Sequence, residues 1–515
     1  MTEKHKVGTD GILEDGTRLT PVTRQDFAWY DQAQQTLSHL SVPALLHAKN
    51  PHERLFIANF DGTGNDATQD PEHATTIGVF YKRLEEISDQ NSHVFAQYLP
   101  GPGTQSHLLP RVADGAYGFT YDRRIEDMYG KFIRQADKWL KEDPNAQIRV
   151  VATGFSRGAE QAAGFTRLVD ERGIQDWQGE KVHHHIFGPD SVTYAHPPLV
   201  APHQIPQAVM LIDPVGTGRP HSRDRQLPPS VVSGFQLTAR DERRDAFPET
   251  LIIPLGASDD GRFLDVTVPG AHSDLGGGYH HDGLAILNRN LAVDYINALS
   301  DTPLLQKQAE PDDLQRYVIH RSEDHQVFYS TRYVRKHGER AERGAQAGAP
   351  DCRASLACLP PEPVDPAIAA RMTDRHPVAI APLPPVPLAV TTFMQPSVER
   401  QHTQGPKNWQ EELLRQEYRR MPKQEQQTRE RNAATGHSLD VFTITPNSSI
   451  DSMFDALYQS SVAQDHATMS AVSEAYLQSL HGQDFLQQGR EYNQELERQQ
   501  AIQQQMIRKG PAMSR

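Results

Sequence analysis

IRVVATGFSRGAEQAAGFTRLV, residues 148–169, decides how the rest of the chain is read. A β-branched run, Ile148 to Thr153, meets Gly154-Phe155-Ser156-Arg157-Gly158, and an apolar, Ala-rich stretch with helical character follows. A nucleophile elbow needs that setting: a serine on a strained turn between a strand and a helix. Side chains two residues either side of such a serine would collide, and Gly154 and Gly158 remove them. The helix that follows aims its first amides, and the positive end of its dipole, at the place where negative charge develops. The Arg157 amide is therefore expected to supply half an oxyanion hole. The competing reading, a Gly-rich turn with a capping serine, leaves the second glycine unexplained.

Strand and helix signals alternate around this centre. RLFIANF (54–60), VFAQYLPGPGT (94–104), QAVMLIDPVGTG (207–218) and RFLDVTVPGAHSD (262–274) each read as a buried strand running into a loop. DRRIEDMYGKFIRQADKWLKE (122–142) places Ile125, Met128, Phe132, Ile133, Ala136, Trp139 and Leu140 at helical spacing. Such alternation predicts an α/β-hydrolase fold, a mainly parallel sheet with helices on both faces. We expect a catalytic domain over residues 50–335. Before it, residues 1–50 form an N-terminal extension with a helix near Asp26–Leu40. After it come a Pro-rich arm or linker over 336–407, containing APLPPVPL (381–388), and a Gln-rich helical region over 408–515. In that last region PNSSIDSMFDALYQSSV (446–462) and the stripe Met469, Val472, Tyr476, Leu480 read as helix-packing faces.

A serine hydroxyl needs a histidine to take its proton and a carboxylate to hold the imidazole. In this fold the chain order is Ser, acid, His. Of 24 histidines, His272 follows the strand-like DVTVPG (265–270) and opens the Gly-rich loop SDLGGGY, which places it at a strand end; His280 and His281 are the lesser alternatives. Asp213 follows AVMLI and opens Pro-Val-Gly-Thr-Gly, a second strand-end carboxylate, with Asp259, Asp260 and Asp274 as rivals and Asp274 as a loop-orienting group. FDGTGND (60–66) lacks the lysine of a phosphate loop, so Gly62 or Thr63 is read as the second oxyanion donor and Asp61 as a supporting group. No metal or cofactor is expected.

The formal net charge of −14 argues against nucleic acid and against purely electrostatic docking on anionic lipid. Hydrophobic residues at 37% leave part of the length outside a core. Nothing at the start has the apolar core of a signal peptide, and no run of about 20 apolar residues would span a bilayer. The chain is thus expected to be made in the cytoplasm without a signal peptide. Cys352 and Cys358, the only cysteines, are read as free thiols in a loop.

Six motifs in a fixed order carry a family resemblance: FDGTGN (60–65), LPGPGT (99–104), GFSRGA (154–159), DPVG (213–216), ARDERRDAF (239–247) and VPGAHSDLGGGY (268–279). Across residues 54–280 the chain resembles the type VI secretion lipase effectors of class 1, the GFSRGA-type antibacterial phospholipases, within a wider uncharacterised α/β-hydrolase family. The resemblance implies a phospholipase A-type esterase acting on membrane phospholipids and delivered by a secretion machine into a rival cell. It also implies a cognate immunity protein, with Ser156 as nucleophile, Asp213 as acid and His272 as base. This chain reads DPVG where many relatives read Asp-Thr-Val, and the region beyond 336 matches nothing in the family. Arg240, Arg243 and Arg244 fall in a family motif but are read as loop-holding residues that pair with carboxylates. The alternatives to a phospholipase are a cytoplasmic esterase or thioesterase on soluble acyl substrates, and a non-catalytic scaffold.

Overall fold

The computed structural model describes residues 18–102, 121–183, 191–216, 223–244, 247, 249–322 and 360–384, with residues 445, 448, 475, 478 and 479 of the tail. The chain divides into two compact units, Met1–Thr391 and Thr392–Arg515. In the second, the Thr445 amide donates to Ser448 Oγ at 3.0 Å and the Ser448 amide returns a bond to Thr445 O at 2.9 Å. The tail helices expected from sequence, both cysteines and much of the Pro-rich stretch lie outside the described residues.

The first unit opens with β1 (Arg18–Pro21), α1 (Arg24–His39) and β2 (Ser41–Pro43). Thr23 caps α1 in a reciprocal pairing with Asp26, which fixes the helix two residues ahead of the expected start. β3 (Glu53–Phe60), α2 (Thr76–Gln90), β4 (Val94–Leu99), α3 (Tyr121–Glu142) and β5 (Gln147–Phe155) follow. Next are α4 (Arg157–Arg172), the hairpin β6 (Glu180–His183) and β7 (Ser191–Tyr194), β8 (Gln207–Ile212) and β9 (Val231–Ala239). The series closes with β10 (Gly256–Ala257), β11 (Phe263–Val268), α5 (His272–Gly276), α6 (Gly283–Ala298), β12 (Val318–Arg321), α7 (Pro366–Arg371) and β13 (Arg375–Pro377).

Seven strands form the central sheet in the order β10-β11-β9-β8-β5-β3-β4. Every neighbouring pair is parallel except β10 with β11. Each parallel crossover runs through helix or long loop, so both faces are covered and the strands read as continuous apolar runs. Alternation along β3 sends Leu55 and Ile57 to one face, where Tyr30 and Leu37 of α1, Phe80 of α2 and Leu291 of α6 close the core. Phe56, Ala58 and Phe60 point to the other face, against Phe132 of α3 and Phe165 of α4. The chain leaves β3 for β4 on one side and returns to β5 on the other. That reversal opens a crevice at the carboxyl ends of β3 and β5, where open α/β sheets hold their ligands.

Small pairings bring both ends of this unit onto the same body. β1 pairs antiparallel with β12, and β13 with β2. Part of the Pro-rich segment is therefore ordered: Ile368, Met372 and Val378 are buried with the α1 side of the core.

Candidate active site

β5 ends at Phe155 and α4 begins at Arg157, leaving Ser156 alone in the turn. Ser156 has φ 60° and ψ −129°, a conformation that costs an L-residue of order 1–3 kcal/mol and persists only where the surroundings enforce it. Its amide donates to Ile212 O at 2.9 Å, tying the turn to the neighbouring strand. A methyl group at Gly154 would lie 2.4 Å from Gly158 O, and one at Gly158 would lie 2.2 Å from Phe60 O. Both glycines are thus demanded by close backbone approach.

The next strand repeats the device. Asp213 follows β8 at φ 39°, and its amide donates to Leu237 O at 2.7 Å. Oδ1 accepts from the Ala239 amide at 2.9 Å, and Oδ2 lies 2.6 Å from His272 Nδ1. Both partners are buried. Because a carboxylate only accepts, the short contact sets the hydrogen on Nδ1 and leaves Nε2 with its lone pair, the tautomer a general base requires. Burial holds the His272 pKa below its ordinary value; the Asp213 hydrogen bond and charge oppose that shift, and Arg244 adds to it. Phe155 stacks on the imidazole at 4.5 Å and Phe247 meets its edge at 4.9 Å. The pair thus joins the first residue of α5 to the end of β8, beside the strand that carries Ser156.

The loop after β3 is organised by Asp61, which is fully buried. Oδ1 accepts from the Gly62 amide and from Thr75 Oγ1, both at 2.7 Å, and Oδ2 accepts from the Tyr98 hydroxyl at 2.6 Å. Burial, and then the nearby carboxylate, raise the Tyr98 pKa well above that of free tyrosine. With three donors on it, Asp61 is a loop organiser. The Gly62 amide is engaged by that carboxylate, whereas the Thr63 amide has no hydrogen-bond partner among the described residues. Arg157 Nε donates to Thr63 Oγ1 at 2.7 Å, clamping the β3 loop to the elbow.

Asp274 does not reach His272. Its Oδ2 accepts from the Ala271 and His320 amides, and its Oδ1 lies 2.5 Å from His320 Nδ1. Arg240 pairs with Asp26 and Asp241, and Arg244 with Glu242. Glu242 Oε2 also accepts from the His272 amide at 3.2 Å, so the Arg244–Glu242 pair steadies the imidazole from below. Glu242, Phe155 and Phe247 escaped sequence reading. All three lie inside quoted motifs, Phe155 in GFSRGA and Glu242 and Phe247 in ARDERRDAF, but nothing in those motifs marks them as contacts of His272. His280 is exposed and His281 half-buried. Among the described residues no three His, Cys, Asp or Glu side chains gather as a metal site, and no helix is long and apolar enough to cross a membrane.

A parallel sheet carrying a serine on a strained strand-to-helix turn, with an Asp-held imidazole at the adjoining strand ends, is the architecture of the α/β-hydrolase fold, and the chain has that fold. Residues 54–189, from β3 through the elbow and α4, match the family model described as T6SS, Phospholipase effector Tle1-like, catalytic domain. This is the family that the six motifs resemble. Among solved structures, an uncharacterized protein from Pseudomonas aeruginosa is 15% identical, with 60% of this chain and 52% of that one covered and a TM-score of 0.28. The Tle1 effector bound to the VgrG spike of the type 6 secretion system is 20% identical over 46% of this chain and 52% of that one, at a TM-score of 0.26. A thermophilic esterase from Thermogutta terrifontis is 14% identical over 50% of this chain and 87% of that one, at 0.24. The chain spans about half the length of the first two. No curated protein matches it.

Proposed function

We propose that the chain is a phospholipase A-type serine esterase that acts on glycerophospholipids after delivery into a target cell by a type VI machine. The observation that carries this reading is the 2.6 Å contact between His272 Nδ1 and Asp213 Oδ2, at the strand end next to a serine held at φ 60°. In the proposed cycle His272 Nε2 takes the Ser156 proton as Oγ attacks the ester carbonyl. The Arg157 and Thr63 amides receive the oxyanion, and Asp213 stabilises the imidazolium. Lysophospholipid leaves with the proton returned by His272. Water, deprotonated by the same imidazole, then releases the fatty acid and restores Ser156. The chain needs no cofactor for these steps. The match over residues 54–189 supports phospholipid as the substrate and a secretion-machinery component and an immunity protein as partners.

The test is lipid mass spectrometry after incubating wild type and Ser156→Ala with mixed bacterial phospholipids. Wild type should yield lysophospholipid and free fatty acid, and the variant should turn over about a millionfold more slowly, the loss seen when a triad acting as a unit is broken. A loss below about tenfold would remove Ser156 as nucleophile. Wild type that cleaves short soluble esters but no phospholipid would reassign the substrate. Directed to the periplasm of a susceptible bacterium, wild type should arrest growth and Ser156→Ala should not.

A further inference from the structure

Arg289, in the middle of α6, is 8% exposed, yet its guanidinium meets only neutral groups. Nε donates to Thr76 Oγ1 at 3.4 Å and Nη1 to Gln308 Oε1 at 2.5 Å. No carboxylate lies within ion-pair distance of it among the described residues, although nearly every other buried arginine here has one, Arg225 on Glu160 and Arg244 on Glu242 among them. Burial depresses its pKa, with Asp282 the one charge pulling the other way. The group it leans on deepens the imbalance. Thr76 is the first residue of the 15-residue α2, and it is fully buried. The positive end of that helix dipole and a desolvated guanidinium therefore face one another, an arrangement that favours an anion between them.

The donors that remain point to one place. The N-cap Thr75 spends its hydroxyl on Asp61 and on the Gly78 amide, and the Val79 amide donates to Thr75 O. Among the described residues the Thr76 and Ile77 amides have no acceptor, and neither does Arg289 Nη2. A methyl group built on Gly277 would stand 3.5 Å from the Thr76 amide nitrogen and 3.6 Å from Arg289 Nη2, so both converge on the bare α-carbon side of that loop. Half-exposed Gly278, which approaches His73 O, gives the outer wall. This place adjoins the candidate active site on two sides. Thr75 is hydrogen-bonded to Asp61 of the β3 loop, and Gly276 packs on Phe155, the residue before Ser156.

From this we infer that Arg289, the first amides of α2 and the Gly277 backbone form a seat for a phosphate anion, and that it takes the phosphodiester of the lipid whose ester Ser156 attacks. The second half rests on the phospholipase reading. In a glycerophospholipid the phosphate lies a few bonds from either ester carbonyl, so a seat beside the elbow selects phospholipid over neutral glyceride by charge.

Two measurements on the full chain separate the parts of this inference. Thermal unfolding is followed with inorganic phosphate against chloride at matched ionic strength. Selectivity is read as kcat/KM on phosphatidylglycerol over kcat/KM on a diacylglycerol of the same chains in neutral mixed micelles. Wild type should be stabilised specifically by phosphate, Arg289→Leu should lose that stabilisation, and its selectivity should drop about tenfold, as for loss of a charged hydrogen bond. Arg289→Lys, which keeps the charge and loses the fork, should fall between them and stands in if the leucine variant does not fold. Absent phosphate stabilisation in wild type, or stabilisation that survives in Arg289→Leu, overturns the seat. Stabilisation lost with the arginine while selectivity holds would make it a free-phosphate site and overturn the headgroup assignment. Should wild type hydrolyse neither substrate, the phospholipase reading fails, and the headgroup assignment with it, while the phosphate titration still judges the seat.

Discussion

Two Asp–His pairs lie side by side in this molecule, and they are built alike. Asp213 Oδ2 sits 2.6 Å from His272 Nδ1, and Asp274 Oδ1 sits 2.5 Å from His320 Nδ1. All four side chains are buried. The short helix α5 even serves both, giving its imidazole at 272 to one pair and its carboxylate at 274 to the other. The difference lies at the far ring nitrogen and around it. His320 Nε2 is buried without a hydrogen-bond partner, and the ring lies flat on Tyr279 at 3.8 Å. Asp274 spends its second oxygen on the Ala271 and His320 amides. That pair is a clasp between α5 and β12. The Asp213 pair instead closes two strand ends beside the elbow. On the proposed reading the same hydrogen bond serves proton transfer in one pair and a structural tie in the other, the difference lying at the outer nitrogen.

The comparison breaks most sharply in rate. Asp213→Asn should lower kcat by about ten-thousandfold with the fold intact, because an amide opposite Nδ1 favours the wrong tautomer. Asp274→Asn should cost about tenfold in kcat through a loosened α5, and should show itself mainly as a lower unfolding midpoint, since it leaves His320 buried without its carboxylate. Steady-state kinetics and thermal melts on the two variants measure this directly. Equal rate losses would mean that the clasp is also a reacting pair. His320→Gln should behave like Asp274→Asn, with most of its effect on stability.

Much of the proposed site was legible because strained turns demand particular residues. Glycines at 154 and 158, a strand-like run ahead of each motif, and the order Ser, Asp, His point to Ser156, Asp213 and His272 without coordinates. What stayed hidden has several causes. β9 lies in the middle of the sheet but contains Ser233, Gln236 and Thr238, which interrupt an apolar run. They are tolerated because Gln236 and Thr238 bond to the buried Asp265 on β11, a pairing between distant segments that no local pattern encodes. Burial raises the Asp265 pKa well above the carboxylate norm, so these polar groups satisfy one another inside the sheet. α6 is buried on nearly all sides, so it shows no amphipathic stripe, and no local pattern sets Arg289 apart within it. The engagement of the Gly62 amide by Asp61 was equally invisible, being a contact between adjacent residues set by the loop's curvature. The first 50 residues read as an extension because the partners of β1 and β2 lie some 300 residues downstream.

The finest separation of the two pairs is in pH. Burial is the largest influence on His272 and lowers its pKa from the ordinary 6.5, while Asp213 opposes that shift by hydrogen bond and by charge. A base must be neutral to act, so activity should fall on the acid side with a midpoint below 6.5. Removing the Asp213 charge leaves burial less opposed, and Asp213→Asn should move that limb to still lower pH while cutting its height. Asp274 is not among the groups that shift His272, so Asp274→Asn should leave the limb where it stands. The same depression has a thermodynamic face. Below 6.5 the unfolded chain takes up this proton before the folded one does, so folding stability should fall as pH drops from 6.5 through the lower folded value. Replacing His272 by Gln should remove that part of the pH dependence. An acid limb that moves equally in both aspartate variants would mean that α5 couples the two pairs, and that the clasp sets the imidazole's electrostatics as well as its position.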